Sequence, residues 1–125
     1  MSEFDDLFAA NTEFVKDFKS QDLTGAAKKG LAIITCMDSR IDPLRIVGMK
    51  AGDAKILRNA GARVTEDVLR TLILATNLLN VTRVLVMPHT DCRMASGTED
   101  QFMQLSLKKA VLIQEVLRLE LSLIN

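Results

Sequence analysis

One histidine and two cysteines, among 125 residues, fall in two short clusters: Cys36-Met37-Asp38-Ser39-Arg40 and His89-Thr90-Asp91-Cys92. A histidine and a thiolate three residues apart on a tight turn can both face one cation, and a thiolate from a neighbouring segment supplies a third ligand. Two Cys and one His with an open fourth position form a catalytic zinc arrangement. Zinc suits this donor set because thiolate is soft, imidazole is borderline and the ion undergoes no redox change. A structural site would fill the fourth position with another Cys or His, and the chain has none left to give. A bound zinc would therefore keep an open position for water.

Asp38 lies two residues after Cys36 and can face the same side of an extended or turning segment. Its carboxylate has two roles open to it. It can accept a hydrogen bond from water on the metal, or it can occupy the fourth metal position itself. Arg40 decides between them, because a guanidinium can hold a carboxylate bidentately and away from the ion. Each element also has an ordinary reading: Cys36 as a core residue at a strand end, His89 as a loop residue satisfied by the backbone, Asp-Ser-Arg as a surface turn. The coincidence of all three soft ligands with an Asp and an Arg favours chemistry.

The elements that would position these residues follow from patterning. Leu31 to Cys36 is a short apolar run without alternation, as expected of a strand buried on both faces. Asp42-Pro43 opens a short helix, Leu44 to Val47, that stops at Gly48. A second strand runs from Ala54 to Leu57 and ends at Arg58-Asn59-Ala60-Gly61. Thr65 is an N-cap for a largely buried helix carrying Val68, Leu69, Leu72, Ile73, Ala75 and Leu79, with Glu66 and Asp67 suited to its first turn. Val81 to Met87 is a third strand, closed by Pro88. Strands alternating with helices predict an α/β domain with a central, mainly parallel sheet, whose ligands gather at the carboxyl ends of the strands. The first strand ends at Cys36 and the third at His89, so both clusters belong to one sheet edge.

The first eighteen residues place Phe4, Phe8, Phe14 and Phe18, four of the chain's five Phe, on one helical stripe. That face is expected to pack on its own core or on a second subunit. A C-terminal helix is expected from about Thr98 to Val116. Leu117 to Leu123 alternates like a strand and is left unassigned between the two.

Sixteen basic residues balance sixteen acidic ones, and the apolar fraction of 48% fits a globular chain read as a single domain, residues 1–125. Interleaved charge gives no basic face for nucleic acid. No run approaches the roughly 18 apolar residues of a membrane span. The acidic N-terminus lacks a signal-peptide pattern, so a cytoplasmic location is expected, where distant cysteines are better ligands than disulfide partners.

At Cys36-x-Asp38-x-Arg40, Arg58-Asn59-Ala60-Gly61 and His89-x-x-Cys92 the sequence resembles the beta-class carbonic anhydrases of the small prokaryotic type, over about Leu31 to Ser96. The resemblance implies a three-layer fold around the parallel sheet, with residues 31–96 as zinc-site core. It implies one zinc ion (Zn2+) on Cys36, His89 and Cys92, with Asp38 as a further ligand or, paired with Arg40, as the water-orienting dyad. The implied activity is reversible hydration of carbon dioxide to bicarbonate by metal-bound hydroxide, zinc lowering the pKa of its water toward about 7. The N-terminal helix, residues 1–20, would lie across a partner in a homodimer or dimer of dimers. Two other readings share these motifs: a hydrolase of CS2 or COS on the same zinc, and a catalytically silent oligomeric relative.

Three departures from the family pattern stand out. Pro88 and Arg93 occupy positions that are usually Gly, and Arg93 is expected to crowd the pocket while keeping its N–H. The absence of Trp and Tyr argues against an inhibitory bicarbonate pocket of the usual composition. The Leu-rich ending from about Gln104 does not resemble the family's continuation, so the C-terminal part reads as truncated or diverged.

Overall fold

In a computed structural model of the chain, residues 2–19 and 22–105 are described, and they form two compact units, one before Thr24 and one from Thr24 onward. The first unit contains α1 (Asp5–Lys16), with Asp5 and Asp6 in its first turn and Lys16 in its last, complementing the helix dipole. None of its residues is buried, and the rings of Phe14 and Phe18 stack at a tilt with centroids 5.6 Å apart.

The second unit is built on three strands, β1 (Leu31–Cys36), β2 (Ala54–Asn59) and β3 (Arg83–Met87), all parallel and ordered β2-β1-β3. Helices flank this sheet: α2 (Pro43–Ile46), α3 (Glu66–Leu78) and α4 (Glu99–Met103). β1 is the middle strand, and every one of its residues is buried, as its unbroken apolar run predicts. Thr35 is its one polar member; its hydroxyl donates to the Met87 carbonyl at 2.9 Å, so burial leaves nothing unsatisfied.

α3 begins where expected. Thr65 Oγ1 accepts the Val68 N–H at 3.4 Å, and Glu66 and Asp67 follow in the first turn. Its small residue Ala75 packs with Ala27, Ala32 and Val81, while Leu57 and Leu72 close the edges of that cluster. The expectation of a largely buried helix is corrected here: only Val68 and Ala75 are buried, whereas Leu69, Ile73, Leu74 and Leu78 are exposed. The three strands among the described residues meet only one stripe of the helix. β3 departs similarly. It starts at Arg83 rather than Val81; among the described residues it pairs with β1 alone, and Val84, Leu85 and Val86 are exposed.

β2 is two residues longer than its apolar pattern, continuing through Arg58 and Asn59. The extension matters because register pairs Cys36 with Asn59 and Thr35 with Met87. The carboxyl ends of all three strands thus share one edge. After the third strand a 3-10 turn (Arg93–Ser96) leads into α4, whose Thr98 and Gln101 form a capping box. The expected helix therefore begins where predicted, with Thr98 as its N-cap, and its continuation beyond Leu105 lies outside the described residues, as does the alternating segment 117–123. No described helix is long and apolar enough to cross a membrane.

Candidate metal centre

Cys36 is the last residue of β1, and His89 and Cys92 sit on the loop that follows β3. Their ligand atoms all lie within 4.8 Å of one another. The two Sγ atoms are 3.8 Å apart, too far for a disulfide, and both cysteines are free. Two thiolates bound at about 2.3 Å to a tetrahedral ion would be about 3.8 Å apart, so the pair is already spaced for zinc.

The histidine is prepared for the same role. Its Nδ1 lies 2.7 Å from the Thr90 carbonyl and so carries the proton, which leaves the Nε2 lone pair free. Nε2 is buried and has no hydrogen-bond partner. A buried, unsatisfied nitrogen facing two sulfurs is costly unless something accepts its lone pair, and a soft cation would do so.

Around Cys36 the field favours the thiolate. Burial opposes ionisation, but the Gly61 N–H at 3.4 Å, His89 and Cys92 outweigh it and bring the thiol from an ordinary 9.0 to about 7. The neighbouring Cys36 thiol in turn raises the pKa of His89. Raising the pH of the metal-free protein through about 7 should therefore convert Cys36 to thiolate, seen as ultraviolet thiolate absorbance growing well below the ordinary cysteine range. A midpoint at 9 would show that the loop does not hold the sulfur as described.

Gly61 presents its N–H through an unusual loop. Gly61 and Ala62 both have positive φ, 90° and 58°, and a Cβ on Gly61 would come within 3.0 Å of the Met94 side chain. The Asn59 side chain closes this loop, accepting the Arg63 N–H at 2.8 Å and donating to the Arg63 carbonyl. Arg58 fixes the other side, its guanidinium donating to the Cys36 carbonyl at 2.8 Å and the Asp38 carbonyl at 2.7 Å. The sequence marked residues 58–61 only as a motif; their role as braces needed the register of β1 with β2.

Asp38 and Arg40 meet as expected. Arg40 Nη2 lies 2.6 Å from Asp38 Oδ2 and Nε lies 2.9 Å from Oδ1, and the Arg40 backbone N–H also donates to Oδ1. These contacts hold the carboxyl well below the usual carboxylate range, and Asp38 in turn raises the pKa of Arg40. Asp38 Oδ2 is 3.8 Å from His89 Nε2, beside the donor cluster. One partner was missed in the sequence: Arg40 also reaches the Asp91 carboxylate and carbonyl, each at 3.2 Å, so it ties the loop after β1 to the loop after β3. Asp91 has a φ of 56°, a left-handed conformation that Asp tolerates better than most residues.

A cavity of roughly 590 Å³ opens onto Cys36, Asp38 and Cys92, with Met37, Met94 and Phe102 as apolar walls. A polar corner in an apolar pocket of this size is the ordinary form of a small-molecule site.

Comparison with known proteins agrees with this geometry. Residues 31–121 match the carbonic anhydrase family model, well over half the chain. Beta-carbonic anhydrase 1 of Mycobacterium tuberculosis is 40% identical over 102 residues, covering 82% of this chain and 62% of that protein. The carbon disulfide hydrolase of Saccharolobus solfataricus is 36% identical over 102 residues, 81% of this chain and 50% of that protein. The crystal structure of a carbonic anhydrase from Streptococcus mutans superposes with a TM-score of 0.74 at 41% identity, covering 82% of this chain and 61% of that one. The chain thus spans less than two thirds of the length of each. The parallel sheet, the clustered thiols and imidazole at its carboxyl edge and these likenesses together place the chain in the beta-carbonic anhydrase family.

Proposed function

We propose that this protein catalyses the reversible hydration of carbon dioxide to bicarbonate, with one zinc ion held by Cys36, His89 and Cys92. The observation that carries the reading is the buried, unpartnered His89 Nε2 beside two sulfurs at zinc spacing, with an arginine-held carboxylate next to them. Zinc bound there would supply a Lewis acid that makes water acidic enough to act near neutral pH.

The chain's own residues do the rest. Asp38, kept ionised by Arg40, is purely a hydrogen-bond acceptor, and it would accept a hydrogen bond from water and so turn the water's lone pair into the cavity. Arg40 keeps Asp38 engaged and so out of the fourth metal position; its second grip on Asp91 keeps that restraint in register with His89 and Cys92. The Met37, Met94 and Phe102 walls suit an uncharged, apolar substrate. A second reading, hydrolysis of CS2 or COS at the same residues, is supported by the carbon disulfide hydrolase likeness. We further propose assembly as a homodimer or dimer of dimers through α1, whose Leu7, Phe8 and Phe14 are 60%, 42% and 62% exposed. A reducing, cytoplasmic location would suit two free thiols.

Metal analysis with stopped-flow assays tests these readings together. One zinc per chain and CO2 hydration above the buffer rate are expected. Substoichiometric zinc in a folded sample sinks the metalloenzyme reading. Stoichiometric zinc with sulfide released from CS2 but no CO2 hydration moves the assignment to the hydrolase, and zinc without either activity to the silent relative.

A further inference from the structure

Arg93 follows Cys92 directly and lines the same cavity as Cys36, Asp38 and Cys92. The two arginines of this cavity are in opposite circumstances. Arg40 is committed, with its guanidinium bonded to Asp38 and Asp91, two carboxylates for one positive charge. The guanidinium of Arg93 has no ion pair or hydrogen bond among the described residues; only its carbonyl is engaged, accepting from Ser96 Oγ at 2.5 Å. Arg93 is exposed, and the cavity's other lining residues beyond the Asp38–Arg40 pair include Met37, Met94 and Phe102, which are apolar and cannot neutralise it. An exposed cation that lines a cavity and has no carboxylate partner attracts an anion that enters it.

From this we propose that Arg93 holds a small planar oxyanion of the bicarbonate class in the cavity, and so determines how tightly the charged side of the reaction is bound. The assignment rests on the CO2 hydration reading for its biological ligand, but the anion site itself does not. A guanidinium offers two parallel N–H donors matched to two oxygens of such an anion. Carbon dioxide, uncharged and linear, gains little from it. Arg93 therefore discriminates between the two sides of the equilibrium by charge.

Nitrate, a planar monovalent oxyanion that does not react, is the probe. Its affinity is measured by equilibrium titration of the full chain as purified, with and without added zinc, for wild type, Arg93→Gln and Arg93→Lys. Arg93→Gln should weaken nitrate about five- to tenfold, within the range for losing an ordinary hydrogen bond at a solvated site. Arg93→Lys should recover part of that loss, since it keeps the charge and loses the fork. In activity assays, the KM for bicarbonate should rise several-fold more than the KM for CO2. Nitrate affinity unchanged within twofold in Arg93→Gln overturns the proposal, and so does an equal rise in both KM values. Should Arg93→Gln fail to fold, Arg93→Ala is read by the same titration. If wild type does not hydrate CO2, the functional reading fails while the nitrate comparison still decides the role of Arg93.

Discussion

Replacing Cys92 with Ser is expected to empty the metal centre and abolish activity while leaving the chain folded. A serine hydroxyl stays protonated at neutral pH and is a hard, weak donor, so only Cys36 and His89 would remain to hold zinc. Losing an outer partner of a metal ligand typically costs about 10–100-fold in affinity, and removing a ligand itself should cost more. The fold should persist because Cys92 lies on the loop between β3 and the 3-10 turn, outside the cluster of Ala27, Ala32, Ala75 and Val81 that joins α3 to the sheet. Zinc content, affinity by chelator competition and circular dichroism on the same sample separate loss of metal from loss of structure. A folded Cys92→Ser protein that retains one zinc per chain would remove Cys92 from the ligand set.

Asp38→Ala should do the converse, keeping zinc and losing rate. The carboxylate is not needed to complete the group of three donors, since Cys36, His89 and Cys92 are clustered without it. Its contribution would be to orient the water by accepting its hydrogen bond, and losing such positioning typically costs on the order of 10²-fold. Unfolding is a poor explanation for so large a loss. Asp38 lies outside the cluster of Ala27, Ala32, Ala75 and Val81 that joins α3 to the sheet, and circular dichroism on the same sample checks the fold. Stopped-flow hydration measured beside zinc content gives the answer, and full rate in Asp38→Ala would refute the dyad. If Asp38 were instead a zinc ligand, the substitution would open the fourth position, changing the visible spectrum of a cobalt-substituted sample.

The site was legible in the sequence because its chemistry is carried by residue types that occur sparingly. With one histidine and two cysteines, no other combination of soft ligands exists, and their position after apolar runs put them at strand ends. β1 was equally legible, since a short apolar run rich in β-branched residues and without polar alternation reads as a strand covered on both faces. α3 was legible as a helix, from Thr65 onward, but not in its exposure: Ile73 is 65% exposed although nothing in its local pattern separates it from Leu72. Periodicity reports which side of a helix is apolar, and it does not report how wide the surface beneath it is.

Sequence alone thus picked out the candidate donor group, the parallel α/β architecture and the Asp38–Arg40 pairing, because these depend on intrinsic side-chain chemistry or on residues a few positions apart. Tertiary structure decided the strand order β2-β1-β3 and the braces that follow from it. Arg58 reaches back twenty residues to the Asp38 carbonyl, Gly61 brings its N–H to Cys36 from twenty-five residues away, and Arg40 grips Asp91 across fifty-one. Such contacts exist only once β2 and β3 have aligned on either side of β1, and register between strands is a property of the assembled sheet that no local pattern records.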